Sequence, residues 1–261
     1  MKPSMMMTRR DFLQTLAAVM TVTVLPLKSE GSAGQAVPVL LYHDIDAVKE
    51  DEYTILAAAF AAQMEWLYSH GYQAISLRDL GEGRIPDRPV VITFDDGYAS
   101  FLVYALPLME QYGFKTTLTI IGRYVGAYYT IGMNRPMMSW DECRYLARTG
   151  LVSFGCHTYH LHNFEKGGVK GVTEEAFYRD LMSFQETMTQ ELGKPTDIMA
   201  WPFGLYHKRH MEVAEKAGFK YLLTSIPETY RMGQSLREIP RIAVGGGVDL
   251  KVFKMLIGAA S

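Results

Sequence analysis

Val90 to Tyr98 reads VVITFDDGY. Its first five residues, Val90-Val91-Ile92-Thr93-Phe94, are apolar or β-branched, the makeup of a buried strand. That strand then ends in two adjacent carboxylates and a glycine. Asp-Gly after a strand is ordinary turn chemistry, because Asp bonds nearby backbone and Gly accepts positive φ. The triplet alone leaves a turn and a reactive site equally open, so the rest of the chain has to separate them.

On either side of this stretch, short apolar runs alternate with segments of helical period, the signature of β/α units around a mainly parallel sheet. Strands are expected at Val37–His43, Ala74–Leu77, Val90–Phe94, Thr116–Ile121, Val152–His157, Asp197–Trp201, Tyr221–Thr224 and Arg241–Val244. Helices are expected at Phe60–His70, Tyr104–Tyr112, Trp140–Arg148, Glu174–Leu192, His207–Ala217 and Leu250–Ile257. The clearest begins after Thr173 as N-cap, aligns Phe177, Leu181, Phe184, Met188 and Leu192 on one face, and stops at Gly193-Lys194-Pro195. No repeat or linker interrupts the alternation. The reading is therefore α/β, a distorted, incomplete (β/α) barrel of about seven parallel strands forming one domain over residues 37–261.

Composition agrees: 261 residues, 48% hydrophobic and 21% charged, are those of a globular chain with a sizeable core. The first segment reads differently. MTRRDFLQTLAAVMTVTVLPL carries Arg9 and Arg10, then no charge between Asp11 and Lys28, and small residues Ser32, Ala33 and Ala36 follow. That run is shorter than the roughly 20 residues of a spanning helix, so residues 1–36 are expected to be an export leader. Thr8-Arg9-Arg10-Asp11-Phe12-Leu13 resembles the twin-arginine signal, with cleavage after Ala33 or Ala36 both fitting. A general secretory leader and a retained anchor are the alternatives. Four basic and two acidic residues leave with it, so the formal charge goes from −2 to −4 and no basic patch argues for nucleic acid. Cys143 and Cys156 lack metal-type spacing and read as buried free thiols.

In a parallel β/α barrel, chemistry gathers at the carboxyl ends of the strands. Four expected strands end in reactive or notable side chains: LLYHDI with His43 and Asp44, the opening stretch with Asp95 and Asp96, FGCHTYHLHN with His157, His160 and His162, and AWPFGLYH. Singly, His43 could be a strand-end histidine and the three histidines a solvated loop. One Asp and two His converging on one rim can instead make an open facial triad for a divalent ion. The neighbouring aspartates can then divide the labour, one as ligand and one as base.

TFDDGY resembles the first motif of the polysaccharide deacetylases, the NodB-homology family of carbohydrate esterases. The resemblance implies Asp95 as catalytic base and Asp96 as metal ligand. HTYHLH is similar to the longer-spaced form of the family's second motif, implying ligands at His157 and His162 and leaving His160 a bystander. Further likeness in PVLLYHDI, GYQAISLRDL, MSWDECRYLARTGLVSFGCHTYHLH and AWPFGLY covers nearly the whole chain after the leader. This set is similar to the branch that holds the biofilm poly-N-acetylglucosamine deacetylases.

Two departures follow. The arginine that usually orients the base is replaced by Ala200, with Arg241 in IPRIAV as a substitute from another strand. No histidine follows His210, so the usual C-terminal acid is missing; the permuted branch uses its N-terminal histidine, which implies His43 as acid. Tyr98, Tyr159, Trp201 and Phe203, together with Arg241, are the substrate-side candidates. The implied activity is metal-dependent de-N-acetylation of an N-acetylglucosamine polysaccharide, with zinc expected and cobalt or nickel as alternatives. A peptidoglycan or lipid-linked sugar deacylase, a weak carbohydrate-binding relic and a metal-binding subunit of an export machine stay open. An export-machinery partner is likewise open, and no membrane span is expected after the leader.

Overall fold

The structure, a computed structural model, describes residues 34–129, 135–163 and 167–259. The leader expected over residues 1–36 lies almost wholly outside them. Among the described residues no helix is long and apolar enough to cross a membrane.

Eight parallel strands line one sheet: β1 Val39–Tyr42, β2 Gln73–Ala74, β3 Pro89–Phe94, β4 Thr116–Ile120, β5 Val152–Cys156, β6 Ile198–Ala200, β7 Tyr221–Leu223 and β8 Ile242–Ala243. Seven run in the order β7-β6-β5-β4-β3-β1-β8, and short β2 pairs with the start of β3. All six residues of β3 are buried, as expected for a central strand covered on both faces. Its register sets Leu41 beside Thr93 and Tyr42 beside Phe94. Leu223 of β7 bridges Ile239, in the segment ahead of β8, after which the chain crosses to join β1 at Ile242 and Ala243. The sheet is thus the distorted, incompletely laddered barrel that the alternation implied.

Among the described residues, seven α-helices flank it: α1 Ala57–Ser69, α2 Leu77–Gly81, α3 Leu106–Tyr112, α4 Trp140–Arg148, α5 Glu174–Leu192, α6 Lys208–Lys216 and α7 Leu250–Leu256. Helix α5 starts where Thr173 Oγ1 accepts the Ala176 N–H and ends at Gly193 in left-handed conformation, as its sequence dictates. Helix α1 buries Phe60, Met64 and Leu67 and also Gln63. Gln63 accepts the Tyr42 hydroxyl at 2.8 Å and donates to the Val248 carbonyl at 2.8 Å, tying the end of β1 to the chain beyond β8.

Two elements differ from expectation. The strand expected over Ala74–Leu77 shortens to β2, because Ser76 and Asp79 form a reciprocal capping box that starts α2 at Leu77. The helix expected from Tyr104 begins with a wide π turn, Phe101–Ala105, and Pro107 opens α3. Pro carries no N–H, so it suits a helix's first turn rather than its interior. Cys143 and Cys156 are free and buried.

Candidate active site

A cavity of about 730 Å³ opens at the carboxyl ends of the strands, and its wall includes His43, Asp95, Asp96, Tyr98, His157 and His162. Each comes from a strand end or the loop directly after one. Asp95 and Asp96, in the stretch that left a turn and a reactive site equally open, thus form one side of the cavity.

Asp96 turns out of β3 with φ 70°, and Gly97 follows at φ 95°. A Cβ on Gly97 would lie 2.9 Å from Ile120 Cγ2, so only glycine lets the loop lie this close to β4. The left-handed step sends the two adjacent carboxylates to different partners. Among the described residues, three non-glycine positions have positive φ: Asp96, Thr158 and Phe203. All three lie at this rim, the pattern of backbone strain held in place at functional sites.

Asp95 is buried against Arg241, which donates from Nη1 to Oδ1 at 2.8 Å and from Nη2 to Oδ2 at 2.7 Å. Thr119 Oγ1 donates to Oδ1 at 2.5 Å. Burial alone would raise this carboxyl; the Arg241 charge, assisted by His157 and by the arginine's hydrogen bonds, outweighs it and holds Asp95 well below the usual carboxylate range. Arg241 also donates from Nε to the Thr224 carbonyl at 2.8 Å and from Nη1 to Thr93 Oγ1 at 3.2 Å. At 1% exposure it cannot meet a substrate, so its placement on the substrate side is corrected. It stands behind Asp95 instead.

Asp96 Oδ1 is buried without a hydrogen-bond partner. His157 Nε2 lies 3.5 Å from it and His162 Nε2 3.4 Å. These contacts are not ion pairs, because burial pushes both imidazoles down to about 4 and leaves them neutral at pH 7. His157 Nδ1 lies 3.0 Å from the Ala200 carbonyl, which can only accept; Nδ1 thus carries the proton and the Nε2 lone pair faces Asp96. One carboxylate oxygen and two imidazole nitrogens, all within 4.8 Å of one another, form the donor set. A buried carboxylate oxygen without a hydrogen-bond donor, facing the His157 lone pair and a second neutral imidazole, is costly alone, and a divalent cation can be bound by all three. The residues fit such an ion. The Tyr98 side chain hydrogen-bonds Asp96.

His43 lines the cavity, with its ring edge-on to Tyr53 at a centroid distance of 5.1 Å. The next residue anchors it: Asp44 is buried, its Oδ1 accepts from Ser100 Oγ at 2.6 Å and from the Ile45 N–H at 2.9 Å, and its Oδ2 forms an ion pair with Arg135 Nε at 3.0 Å. Phe203 lies on the wall with its ring 4.2 Å from that of His162. Trp201 borders the cavity, but at 1% exposure it is mainly a core residue stacked on Tyr206 at 4.7 Å. Tyr159 is not on the wall; its ring packs over Gly122, where a Cβ would come within 2.6 Å. His160 is exposed.

Sequence reasoning missed Tyr53, which is 52% exposed on the cavity wall. Its segment abuts the glycine run Gly245–Gly247: a Cβ on Gly245 would lie 2.0 Å from the Glu52 carbonyl oxygen, and one on Gly246 2.4 Å from that of Asp51. Three consecutive glycines after a strand are a legible sign that another backbone approaches there. Nothing in the sequence names which one.

Residues 82–222 match the polysaccharide deacetylase family model, a stretch that includes Asp95, Asp96, His157 and His162. The poly-beta-1,6-N-acetyl-D-glucosamine N-deacetylase of Staphylococcus aureus is 29% identical over 199 residues, covering 74% of this chain and 68% of that protein. Among solved structures, IcaB from Ammonifex degensii superposes with a TM-score of 0.75 at 23% identity, covering 87% of this chain and 97% of that one. A de-N-acetylase from Aggregatibacter actinomycetemcomitans gives 0.73 at 20% identity, covering 85% and 100%. These two likenesses carry the fold. With a family match that spans more than half of its length, the chain belongs to the polysaccharide deacetylase family.

Proposed function

We propose that this protein removes N-acetyl groups from a polymer of N-acetylglucosamine by hydrolysis, poly-β-1,6-N-acetylglucosamine first among such polymers. The observation that carries the reading is a buried, arginine-clamped aspartate beside an Asp-His-His donor set, both opening into one cleft. The Staphylococcus aureus relative supports the choice of polymer.

A divalent ion held by Asp96, His157 and His162, zinc in the first instance, supplies Lewis-acid polarisation of the acetamide carbonyl and of the attacking water. Asp95, kept ionised and aimed by Arg241, accepts the proton that the water loses as its oxygen bonds the carbonyl carbon. His43, on another strand end of the same cleft, donates a proton to the sugar nitrogen as the carbon–nitrogen bond breaks. Acetate and a glucosamine unit result. Tyr98, Phe203 and Tyr53 offer ring surface to the apolar faces of the sugars. The arginine clamp also weighs against a non-catalytic relic, because it supplies from Arg241 the orienting charge that Ala200 lacks. Export by the leader over residues 1–36, with residues 37–261 as the catalytic domain acting outside the cytoplasm, completes the proposal.

The test is primary-amine release from a short N-acetylglucosamine oligomer by zinc-reconstituted protein. Release that Asp95→Asn abolishes is expected. Binding of the oligomer without release under zinc, cobalt or nickel would sink the enzymatic reading for this substrate.

A further inference from the structure

The loop between the two histidine ligands is held from two sides. On one, the Gly122 N–H donates to the Thr158 carbonyl at 3.1 Å and the Arg123 N–H to the Tyr159 carbonyl at 2.9 Å, both from the chain leaving β4. On the other, Asp180 reaches in from α5. Its Oδ2 accepts the Tyr159 N–H at 2.8 Å and its Oδ1 the His160 N–H at 2.8 Å. The backbone polar groups of Tyr159 are thereby both satisfied, although its own side chain only packs over Gly122.

This arrangement exists because Thr158 is left-handed, at φ 69°. The turn throws the next two N–H groups to one side, where they form a small anion-binding nest. Asp180 fills that nest with a side-chain carboxylate. Burial pushes the Asp180 carboxyl up to about 6 even though the two N–H groups oppose the rise, so the position is costly and an outward-facing polar residue would avoid it. A ligand loop needs its geometry fixed within a fraction of an ångström, and hydrogen bonds from outside the ligand set usually do this.

We propose that Asp180 is a positioning residue: by holding the N–H groups of Tyr159 and His160 it keeps the 157–162 loop in the form that aims His162 Nε2 at Asp96, and so sets the site's affinity for its ion. This rests on the metal-site reading given above. Asp180 touches neither ion nor substrate; both its hydrogen bonds go to backbone.

Cobalt(II) titrated into the metal-free protein tests it, with visible absorption reporting the ligand field and a competing chelator the affinity. The variants are Asp180→Asn, which keeps the shape but only one acceptor oxygen, Asp180→Ala, and His162→Ala as the control for the site. Asp180→Asn should weaken cobalt binding about tenfold and Asp180→Ala up to about a hundredfold, with a changed absorption band. Should the alanine variant fail to fold, the isosteric asparagine variant carries the test. Wild-type affinity and spectrum in a folded variant overturn the proposal. A lower melting temperature with unchanged affinity overturns it too, making Asp180 a structural tie alone. Wild-type cobalt binding indifferent to His162→Ala would remove the metal-site reading and this proposal with it, and that failure shows in the wild type before any Asp180 variant is compared.

Discussion

Arg241 and Asp95, 146 residues apart, meet inside the barrel as a two-pronged ion pair, 2.8 Å from Nη1 to Oδ1 and 2.7 Å from Nη2 to Oδ2. The arginine arrives just ahead of β8, on the strand that bridges β7 and then joins β1. Meanwhile Ala200, the slot where the family's arginine usually stands, gives its backbone carbonyl to His157. A cationic partner thus reaches Asp95 from a strand other than the one that ends at Ala200.

Arg241→Met should leave Asp95 buried and unpaired, costing about 3–5 kcal/mol, read as a lower urea midpoint. Removing the cation lets burial raise Asp95, so the acid limb of the pH–rate profile should move to higher pH. In the wild type the folded carboxyl sits below its unfolded value near 3.9, approximately; its contribution to stability is present above that pH and lost as pH falls through the folded value. An unmoved acid limb in Arg241→Met would show that Asp95 is not the group being titrated. A double Asp95→Asn, Arg241→Met variant should regain part of the stability and none of the activity.

His43→Ala should lower amide turnover by about 10²–10⁴-fold, the usual range for a general acid. The loss should be far smaller on an aryl acetate ester, whose leaving group departs without a proton. Equal losses on both substrates would make His43 a binding residue rather than an acid.

Chelation should abolish turnover, and zinc should restore it. Because the ion binds only the folded site, zinc at a hundred times its dissociation constant should stabilise by about 2.7 kcal/mol, seen as a rise in melting temperature. His157→Ala and His162→Ala should each remove that rise. A rise that survives in both would mean that the ion sits elsewhere.

Gly245→Ala should force the 51–54 segment outward, since its Cβ would lie 2.0 Å from the Glu52 carbonyl oxygen. Such overpacking costs about 1–3 kcal/mol. It also moves Tyr53 off His43, so KM for oligomers should rise, and Tyr53→Ala should reproduce the rise without the loss of stability. Steady-state kinetics on oligomers of increasing length would check this; unchanged KM in Tyr53→Ala would take Tyr53 out of substrate contact.

Much of this molecule was determined locally. The continuous apolar run of β3, the Thr173 cap and the left-handed Gly193 act over a few residues, so strands and helices were legible from spacing alone. His43, Asp95, Asp96 and His157 sit at or just past strand ends, and parallel strands bring those ends to one rim. His162 follows on the same loop as His157, whereas Asp96 joins them from another strand end, and the choice of His162 over His160 rested on the family resemblance. Even locally the reading had a limit: Ala74–Leu77 looked like strand until the capping box of Ser76 and Asp79 claimed its second half for α2. What tertiary structure alone decided are the pairings between distant segments: Arg241 behind Asp95, Asp180 under the ligand loop, Glu52 against Gly245, and Tyr159 turned away from the cleft onto Gly122. Periodicity records which face of an element is buried but not which side chain from across the barrel meets it, and that is settled only when the sheet curls and the last strand closes onto the first.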